Sequence, residues 1–486
     1  MTFPGQSTPR GGSFLRIRCR GKSPSTKNKT GNRVENQNDK LTTGPITGLI
    51  MDLAVPATVG IVFHTLYNIT DTYFGGLLGS QALAALSLSF PVFFIIISFG
   101  SGLQTGTTAL IGNSLGSGER ETAKTFACQG VSFSVLLSAV LTLAGLLAAP
   151  ALFRILGARG DYLVMSMDYI RPIIIGIVFF SLNYSFNAVL VATGDTKSFR
   201  NILIAGAFLN AALDPWFLFG GLGLPALGIA GVGWATTLIQ ALASVYLGRR
   251  ALRTGLISFR KLSDFRPKVG FYLDIARQGI PASLNMMTVA VGIFVITYFL
   301  SIFGQDAVAA YGTATRIEQF FLMPFAGLNT ATLTLVAQNN GAGLPDRVRE
   351  VVRKTLTFGI AILGMGGLIL FFLCRILMSL FTDNPEVVAL GYDYLRVASI
   401  TLPSYVILYI NVSALQGLKR PLFALWMGLF RQIAAPVVAF YLLAFGLGLK
   451  EWGVWWGIFA VTWTAALITL FYVRRILKGL NTETGG

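Results

Sequence analysis

Residues 56–71 read PATVGIVFHTLYNITD, and this stretch decides the fold. From Leu53 to Thr70 there is no Asp, Glu, Lys or Arg, and after Asp71 none appears until Glu119. A single acid between two such runs lies inside a bilayer or at a water-filled cavity within it. An ionisable group there is costly, so it marks a functional site by default. On a helix, His64, Tyr67, Asn68 and Asp71 share one face. Such a polar stripe can serve only to bond a neighbouring helix. A second aspartate in similar company, Asp214, favours a site.

Composition agrees with a membrane chain. Of the 486 residues 53% are hydrophobic and 12% charged, and the mean hydropathy is +0.66. Soluble domains carry about twice that charged fraction. The apolar runs are too long for barrel strands, so the spans are helices. The net charge of +17 does not indicate nucleic acid, because the Lys and Arg sit in loops and tails between apolar runs. Cys19, Cys128 and Cys374 have no metal or redox spacing. Walker A, HExxH, paired CxxC and GxSxG motifs are absent as placed motifs. No cofactor is expected, and no soluble domain is long enough to hydrolyse ATP. Any transport must be driven by an ion gradient.

Residues 1–45 are basic and polar and are expected to form a disordered cytoplasmic tail. From residue 46 the chain reads as twelve spans. They lie near 46–75, 82–112, 122–148, 162–193, 199–219, 226–248, 271–302, 307–338, 346–373, 386–417, 421–446 and 452–475. Each is long enough for a hydrocarbon core of roughly 30 Å. The fifth and eleventh, interrupted by Asp214 and Arg431, are the weakest. Thirty of the 38 Lys and Arg fall in the tail, in the even-numbered loops and at the C-terminal end, against four in the odd-numbered loops. That asymmetry puts both termini in the cytoplasm of a plasma-membrane protein. The domains expected are an N-terminal six-helix lobe (46–248), a cytoplasmic linker (249–270), a C-terminal six-helix lobe (271–478) and a short tail (479–486).

The lobes repeat at an offset of 225 residues. Pro56 meets Pro281, Gly79 meets Gly304, and GLQTGTT at 102–108 lies over GLNTATL at 327–333. Asp-Tyr-x-Arg occurs at 168–171 and again at 393–396. Six helices per repeat give both repeats the same topology. An axis along the membrane normal then relates them, with a cavity between. This architecture suits alternating access. The acids are not repeated: Ile296 replaces Asp71, and Pro436 stands near the equivalent of Asp214.

In the fifth span Asn210 and Asp214 project to one side, and Pro215 frees the carbonyl of residue 211. Two carboxylates, an amide and a loosened carbonyl suit a hard cation such as sodium. The same carboxylates, desolvated and close together, suit a proton. Tyr169, Asn183 and Asn187 are placed on one face of the fourth span. Gln104 with neighbouring threonines, and Thr236 and Thr237, add polar groups that are more often interhelical glue. His64 reads as a cavity residue or a proton relay. Arg316, Glu318 and Arg431 in the second repeat read as gating or substrate contacts, with Arg316 and Glu318 pairing locally or with Arg431. Phe90, Phe93 and Phe320 are candidates to line a cavity, and Trp452, Trp455 and Trp456 read as an interfacial belt.

Together these motifs resemble the multidrug and toxic compound extrusion (MATE) transporters. The resemblance rests on Pro56…Tyr67-Asn68-x-x-Asp71-Thr72, LGSQALAALSLSFPVF at 78–93 and GLQTGTTALIGNSLGSG from 102. It continues in ATGDTKS at 192–198 and Leu209-Asn210-x-x-x-Asp214-Pro215. It runs from about residue 46 to 478 and looks like the archaeal and DinF-like branch. It implies a V of two six-helix lobes that exchanges H⁺ or Na⁺ for an organic cation or drug. It implies a cation or proton site at Asp71, Asn210 and Asp214 with a helix 6 threonine, Thr236 or Thr237. Tyr67, Tyr169 and Asn187 would support that site, and bending of helix 1 near Pro56 would be the moving element. NorM-like acids in helices 7 and 10 are missing, Asn285 standing in helix 7. The expected partners are small organic cations and the lipid bilayer, with the protein a monomer. The alternative is a flippase for a lipid or lipid-linked oligosaccharide, for which Arg316, Arg396 and Arg431 are the candidate phosphate contacts. A membrane-embedded enzyme would need a nucleophile–base pair or a metal cluster, and neither is found.

Overall fold

The computed structural model describes residues 40–480 apart from 222, 224 and 260. The expected disordered tail up to residue 39, Cys19 and residues 481–486 lie outside the described residues. The chain is an all-α membrane protein. Its spans are α1 (Ile46–Gly76), α2 (Ser80–Gly116), α3 (Arg120–Ile155) and α4, a pair of segments (Gly160–Ile175 and Ile177–Ala192). There follow α5 (Lys197–Phe219), α6 (Ile229–Leu252), α7 (Val269–Ser301) and α8 (Gln305–Gly341). The set ends with α9 (Pro345–Ser379), α10 (Pro385–Gly417), α11 (Leu422–Gly446) and α12 (Lys450–Gly479).

Three departures from the sequence reading have local causes. The fourth span bends by 44° between its segments. Pro172 has no N–H for the helix ladder, and its carbonyl accepts a hydrogen bond from the Thr237 hydroxyl at 2.9 Å. The eleventh span, expected as a single helix weakened at Arg431, opens into wide turns at Phe430–Ala434 and Tyr441–Gly446. Pro436 cannot donate to the carbonyl of residue 432, and the Ala435 N–H reaches back to Phe430 O instead. The fifth span, expected to be weak, is continuous through Asp214 and Pro215.

The ends also differ from expectation. Residues 40–45, assigned to a disordered tail, are ordered. Leu41 is buried, its carbonyl accepts from Asn339 Nδ2 at 3.2 Å, and Gly44 O accepts from Arg347 Nη2 at 2.8 Å. The linker is shorter than 249–270, because α6 continues to Leu252 and α7 begins at Val269; a short 3-10 turn, Leu262–Phe265, lies between. Trp455 is not an interfacial residue. It is fully buried, with its ring 4.9 Å from Tyr394, while Trp452 and Trp456 stay exposed.

The 225-residue offset is visible atom by atom. Gly79 and Gly304 precede α2 and α8 with φ of 104° and 120°, a backbone that side chains disfavour. The lobes meet along α2–α7 and α1–α8. Asn113 Nδ2 donates to Gly417 O at 2.8 Å, and Gln338 Nε2 donates to Ala192 O at 2.7 Å. Residues 113 and 338 are 225 apart, as are 192 and 417, so one contact is the image of the other. Asn340 also donates to Asn113 Oδ1 at 2.6 Å. Glycines permit this approach. A Cβ on Gly116 would stand 2.0 Å from Gln338 O, and one on Gly341 would stand 2.0 Å from Asn113 O. Both obstacles are backbone and cannot swing away. The seal therefore closes the lobes at the end where α1 begins and α2 and α8 finish.

Gly116→Val should open this seal. Overpacking costs about 1–3 kcal/mol, enough to move a balanced two-state equilibrium several-fold. Spin labels at Ser117 and Asp346, in a background without the three native cysteines, should report a longer distance. An unchanged distance distribution would show that the seal does not limit opening.

Candidate functional site

The site is built where α1 and α5 pack. Asp71 projects from α1 and Asn210 and Asp214 from α5, one turn apart. Asn210 and Asp214 are fully buried, and Asp71 is 8% exposed. Asn210 Nδ2 donates to Asp71 Oδ1 at 2.6 Å, a charge-assisted bond between residues 139 apart in the chain. This bond turns the Asn210 carbonyl oxygen away from Asp71. The Asp214 carboxyl, the Thr236 hydroxyl and the Tyr67 phenol face the same pair, with Tyr169 behind them.

The neighbours leave an oxygen-rich pocket. Both Asp214 oxygens, Asn210 Oδ1, Thr236 Oγ1 and Tyr67 Oη are buried and make no hydrogen bond of normal geometry. Five buried oxygens from four neighbouring residues are thus left without a partner, with no base among the four. This donor set suits a hard monovalent cation or a proton. Among the described residues there is no cluster of three or more His, Cys, Asp or Glu.

Beside this pocket lies a cavity of ≈ 70 Å³. His64, Tyr67, Asn68, Phe93, Tyr184 and Thr236 are among its walls. His64 therefore sits at the cavity, but no hydrogen bond ties it to the carboxyls. His64, Tyr67 and Asn68 thus share the cavity side of α1, and Tyr67 joins them to the buried Asp71 one turn on. The helix 6 threonine is Thr236. Thr237 is engaged with Pro172 O and points away.

Of the other expected members, Tyr169 stands behind the carboxyls and Asn183 lines the same cavity, while the rest lie elsewhere. Tyr169 and Asn183 do not share a straight face, because the bend in α4 lies between them. Asn183 is held by α6, donating to Gln240 Oε1 at 2.7 Å and accepting from Ser244 Oγ at 2.9 Å. Asn187 is buried with an unpartnered Oδ1 but is not among the cavity residues. Gln104 does not line the cavity. Pro56 lies inside α1, which stays one continuous helix around it. Phe93 lines the cavity as expected, whereas Phe90 and Phe320 are exposed.

The C-terminal lobe has its own cavity of ≈ 200 Å³, lined by Glu318 and Arg431 among others. Glu318 is buried and accepts from Tyr394 Oη at 2.6 Å. Arg431 donates to Tyr409 Oη at 2.9 Å. Arg316, expected beside them, points outward; it is two residues from Glu318 and so leaves α8 on another side. It pairs with neither Glu318 nor Arg431. The tyrosines around Glu318 escaped the sequence reading. The repeat held the signal, because Tyr169 and Tyr184 map onto Tyr394 and Tyr409 at the same offset.

The MatE pattern matches residues 56–216 and again 281–441. The chain belongs to the MatE family. The two matches start 225 residues apart and end 225 residues apart, the offset of the repeat. An FAD transporter of Shewanella oneidensis is 30% identical over 393 residues, 81% of this chain and 87% of that protein. The multidrug export protein MepA of Staphylococcus aureus is 24% identical over 450 residues, 90% of this chain and 96% of its own. A MATE crystal structure in the bent conformation superposes with TM-score 0.86 at 25% identity, covering 92% of this chain and 99% of that one. An outward-facing MATE transporter of the MOP superfamily gives 0.85 at 25% identity over 94% and 100%. The protein is thus a multi-pass MATE transporter of the multidrug exporter family, not an enzyme.

Asn210→Leu should destabilise this MATE protein by about 1–3 kcal/mol, because it strands a buried carboxyl oxygen. Unfolding in detergent micelles, compared with the wild type, measures the loss. A change within error would mean that Asp71 finds another donor.

Proposed function

We propose that this MATE transporter is a cation-coupled antiporter that exports organic cations by alternating access. One observation carries the reading. Asp71 and Asp214 face each other in a buried pocket, and no Lys or Arg lines that pocket or the adjoining cavity. Two buried carboxyls need a positive companion. H⁺ or Na⁺ supplies it in one half of the cycle and an organic cation in the other.

The cycle follows from that competition. Entry of the ion at Asp71, Asp214, Asn210 Oδ1 and Thr236 Oγ1 neutralises the pocket and releases the cationic substrate. The lobes then exchange the seal at Asn113 and Gln338 for an opening at that end. Loss of the ion restores the negative pocket, which takes a new cation. Linkage requires each ligand to weaken the other, typically by about 5–150-fold. Phe93, Phe180 and Tyr184 in the cavity wall offer aromatic faces to a flat cation. The name of the Staphylococcus relative, a multidrug export protein, supports the substrate class. The excess of basic residues at the sealed end supports placing both termini in the cytoplasm. A phosphate-bearing lipid, the substrate of a flippase, would meet no Lys or Arg in this cavity and two acids beside it.

The test is efflux of a fluorescent organic cation from proteoliposomes under a pH gradient, and again under a sodium gradient. One gradient should drive the wild type. Asp71→Asn and Asp214→Asn should each reduce driven efflux by about tenfold or more while remaining folded. Full activity in Asp71→Asn would overturn the assignment.

A further inference from the structure

The two cavities occupy equivalent places in the repeat, yet their chemistry is opposed. Subtracting 225 from the C-terminal positions makes this explicit. Tyr405 maps to Phe180 and Tyr409 to Tyr184, and all four line their own cavity. At the same offset Glu318 stands where Phe93 does, and Arg431 stands where Gly206 does. Conversely Asp71 maps to Ile296 in the C-terminal cavity, and Asp214 maps to Ala439. The N-terminal site therefore holds two acids, with His64 but no Lys or Arg in the cavity wall beside them. The C-terminal cavity holds one acid and one base on different helices.

Glu318 and Arg431 do not neutralise each other directly, since they are not in ion-pair contact. Tyr394 holds one Glu318 oxygen, and the other, Oε1, is buried and makes no hydrogen bond of normal geometry, although the Tyr405 hydroxyl stands near the carboxyl. Tyr409 holds the Arg431 guanidinium by a single bond, and that guanidinium lies 5.6 Å from the ring centroids of both Tyr405 and Tyr409. The wide turn at Phe430–Ala434 carries Arg431 into the cavity. Each charge is thus fixed in place by aromatic neighbours and keeps free hydrogen-bonding capacity. The other walls are mainly apolar and aromatic, with Val289, Ile296, Leu322 and Phe325, and carry the uncharged polar side chains of Thr315, Gln319, Gln432 and Thr462. Such a cavity is neutral overall but strongly polarised. A simple monocation would meet Arg431 and a simple anion would meet Glu318, each unfavourably.

We propose that the C-terminal cavity is a second ligand site, selective for zwitterionic aromatic compounds. The ligand's carboxylate would pair with Arg431, its cationic ring system with Glu318, and its flat body with the tyrosines. Arginine's planar fork suits a carboxylate, and the buried acid gains the donor it lacks.

Rhodamine 110 and rhodamine 123 test this directly. They share one cationic ring system; the first carries a free carboxylate and the second its methyl ester. Equilibrium binding to the purified full chain is read by fluorescence anisotropy. Arg431→Gln should weaken rhodamine 110 on the order of tenfold to a hundredfold and leave rhodamine 123 unchanged. Glu318→Gln should likewise weaken rhodamine 110. Asp71→Asn should do the reverse, weakening rhodamine 123 and sparing rhodamine 110. The Asp71 arm tests the antiport site separately, so failure of either assignment is distinguishable. Should Arg431→Gln fail to fold, Ile296→Phe fills the same cavity without removing a charge and should also abolish rhodamine 110 binding. Loss of rhodamine 110 binding only in Asp71→Asn would overturn the proposal. So would equal weakening of both dyes by Arg431→Gln in folded protein.

Discussion

The closure of one lobe on the other through the pair Asn113–Gly417 and Gln338–Ala192 is the constraint on which the architecture depends. Each is a side-chain amide spanning the lobe boundary to a helix-end carbonyl, and each is the image of the other. The paired helices approach closely because Gly116 and Gly341 present no side chain to the opposing backbone. Individually such bonds are worth about 0.5–1.5 kcal/mol net. That magnitude suits a gate, since a few of them hold it shut and a bound ligand's differential affinity can release it. The ordered segment around Leu41 reinforces this end: a Cβ on Gly194 of one lobe would stand 3.1 Å from the Leu41 side chain, and Asn339 of the other donates to the Leu41 carbonyl.

Away from the seal the two lobes have been used differently. In the N-terminal lobe the acids sit where α1 meets α5, and the cavity walls beside them are aromatic and uncharged. In the C-terminal lobe those positions are aliphatic, and charge enters from α8 and α11 instead. The backbone supports the difference. Around Asp214 α5 remains a regular helix despite Pro215, whereas α11 widens around Arg431 and ahead of Pro436. A regular turn keeps Asn210 and Asp214 stacked on one side, as their shared pocket requires. A widened turn changes the direction of Arg431 and brings it to the tyrosines.

Much of the fold was legible because a bilayer leaves few alternatives. Every backbone polar group must be satisfied within the spanning segment, so long apolar runs can only be helices. The repeat was legible because its markers are glycines and prolines, whose roles are set by the backbone. Gly79 and Gly304 adopt the same left-handed conformation. Asp71, Asn210 and Asp214 were legible because carboxyls in apolar runs need a reason. Spacing was a poorer guide for helix 4, where Tyr169, Asn183 and Asn187 share a face only on a straight helix. The bend between them follows Pro172, whose carbonyl accepts a hydroxyl from α6. It was poor also for Trp455, whose neighbours Trp452 and Trp456 suggested an interface while its own ring packs on Tyr394.

By itself the sequence determined the membrane class, the helical spans, the 225-residue repeat and the identity of the acidic helices. These follow from hydrophobicity, charge and backbone chemistry, which act locally along the chain. Tertiary structure decided which polar groups meet. Asn210 reaches Asp71 across 139 residues, Thr236 rather than Thr237 turns to the carboxyls, and Glu318 and Arg431 come to share a cavity without touching. Those outcomes hang on helix rotation, and a rotation of one residue, about a quarter turn of a helix, exchanges one side chain for another.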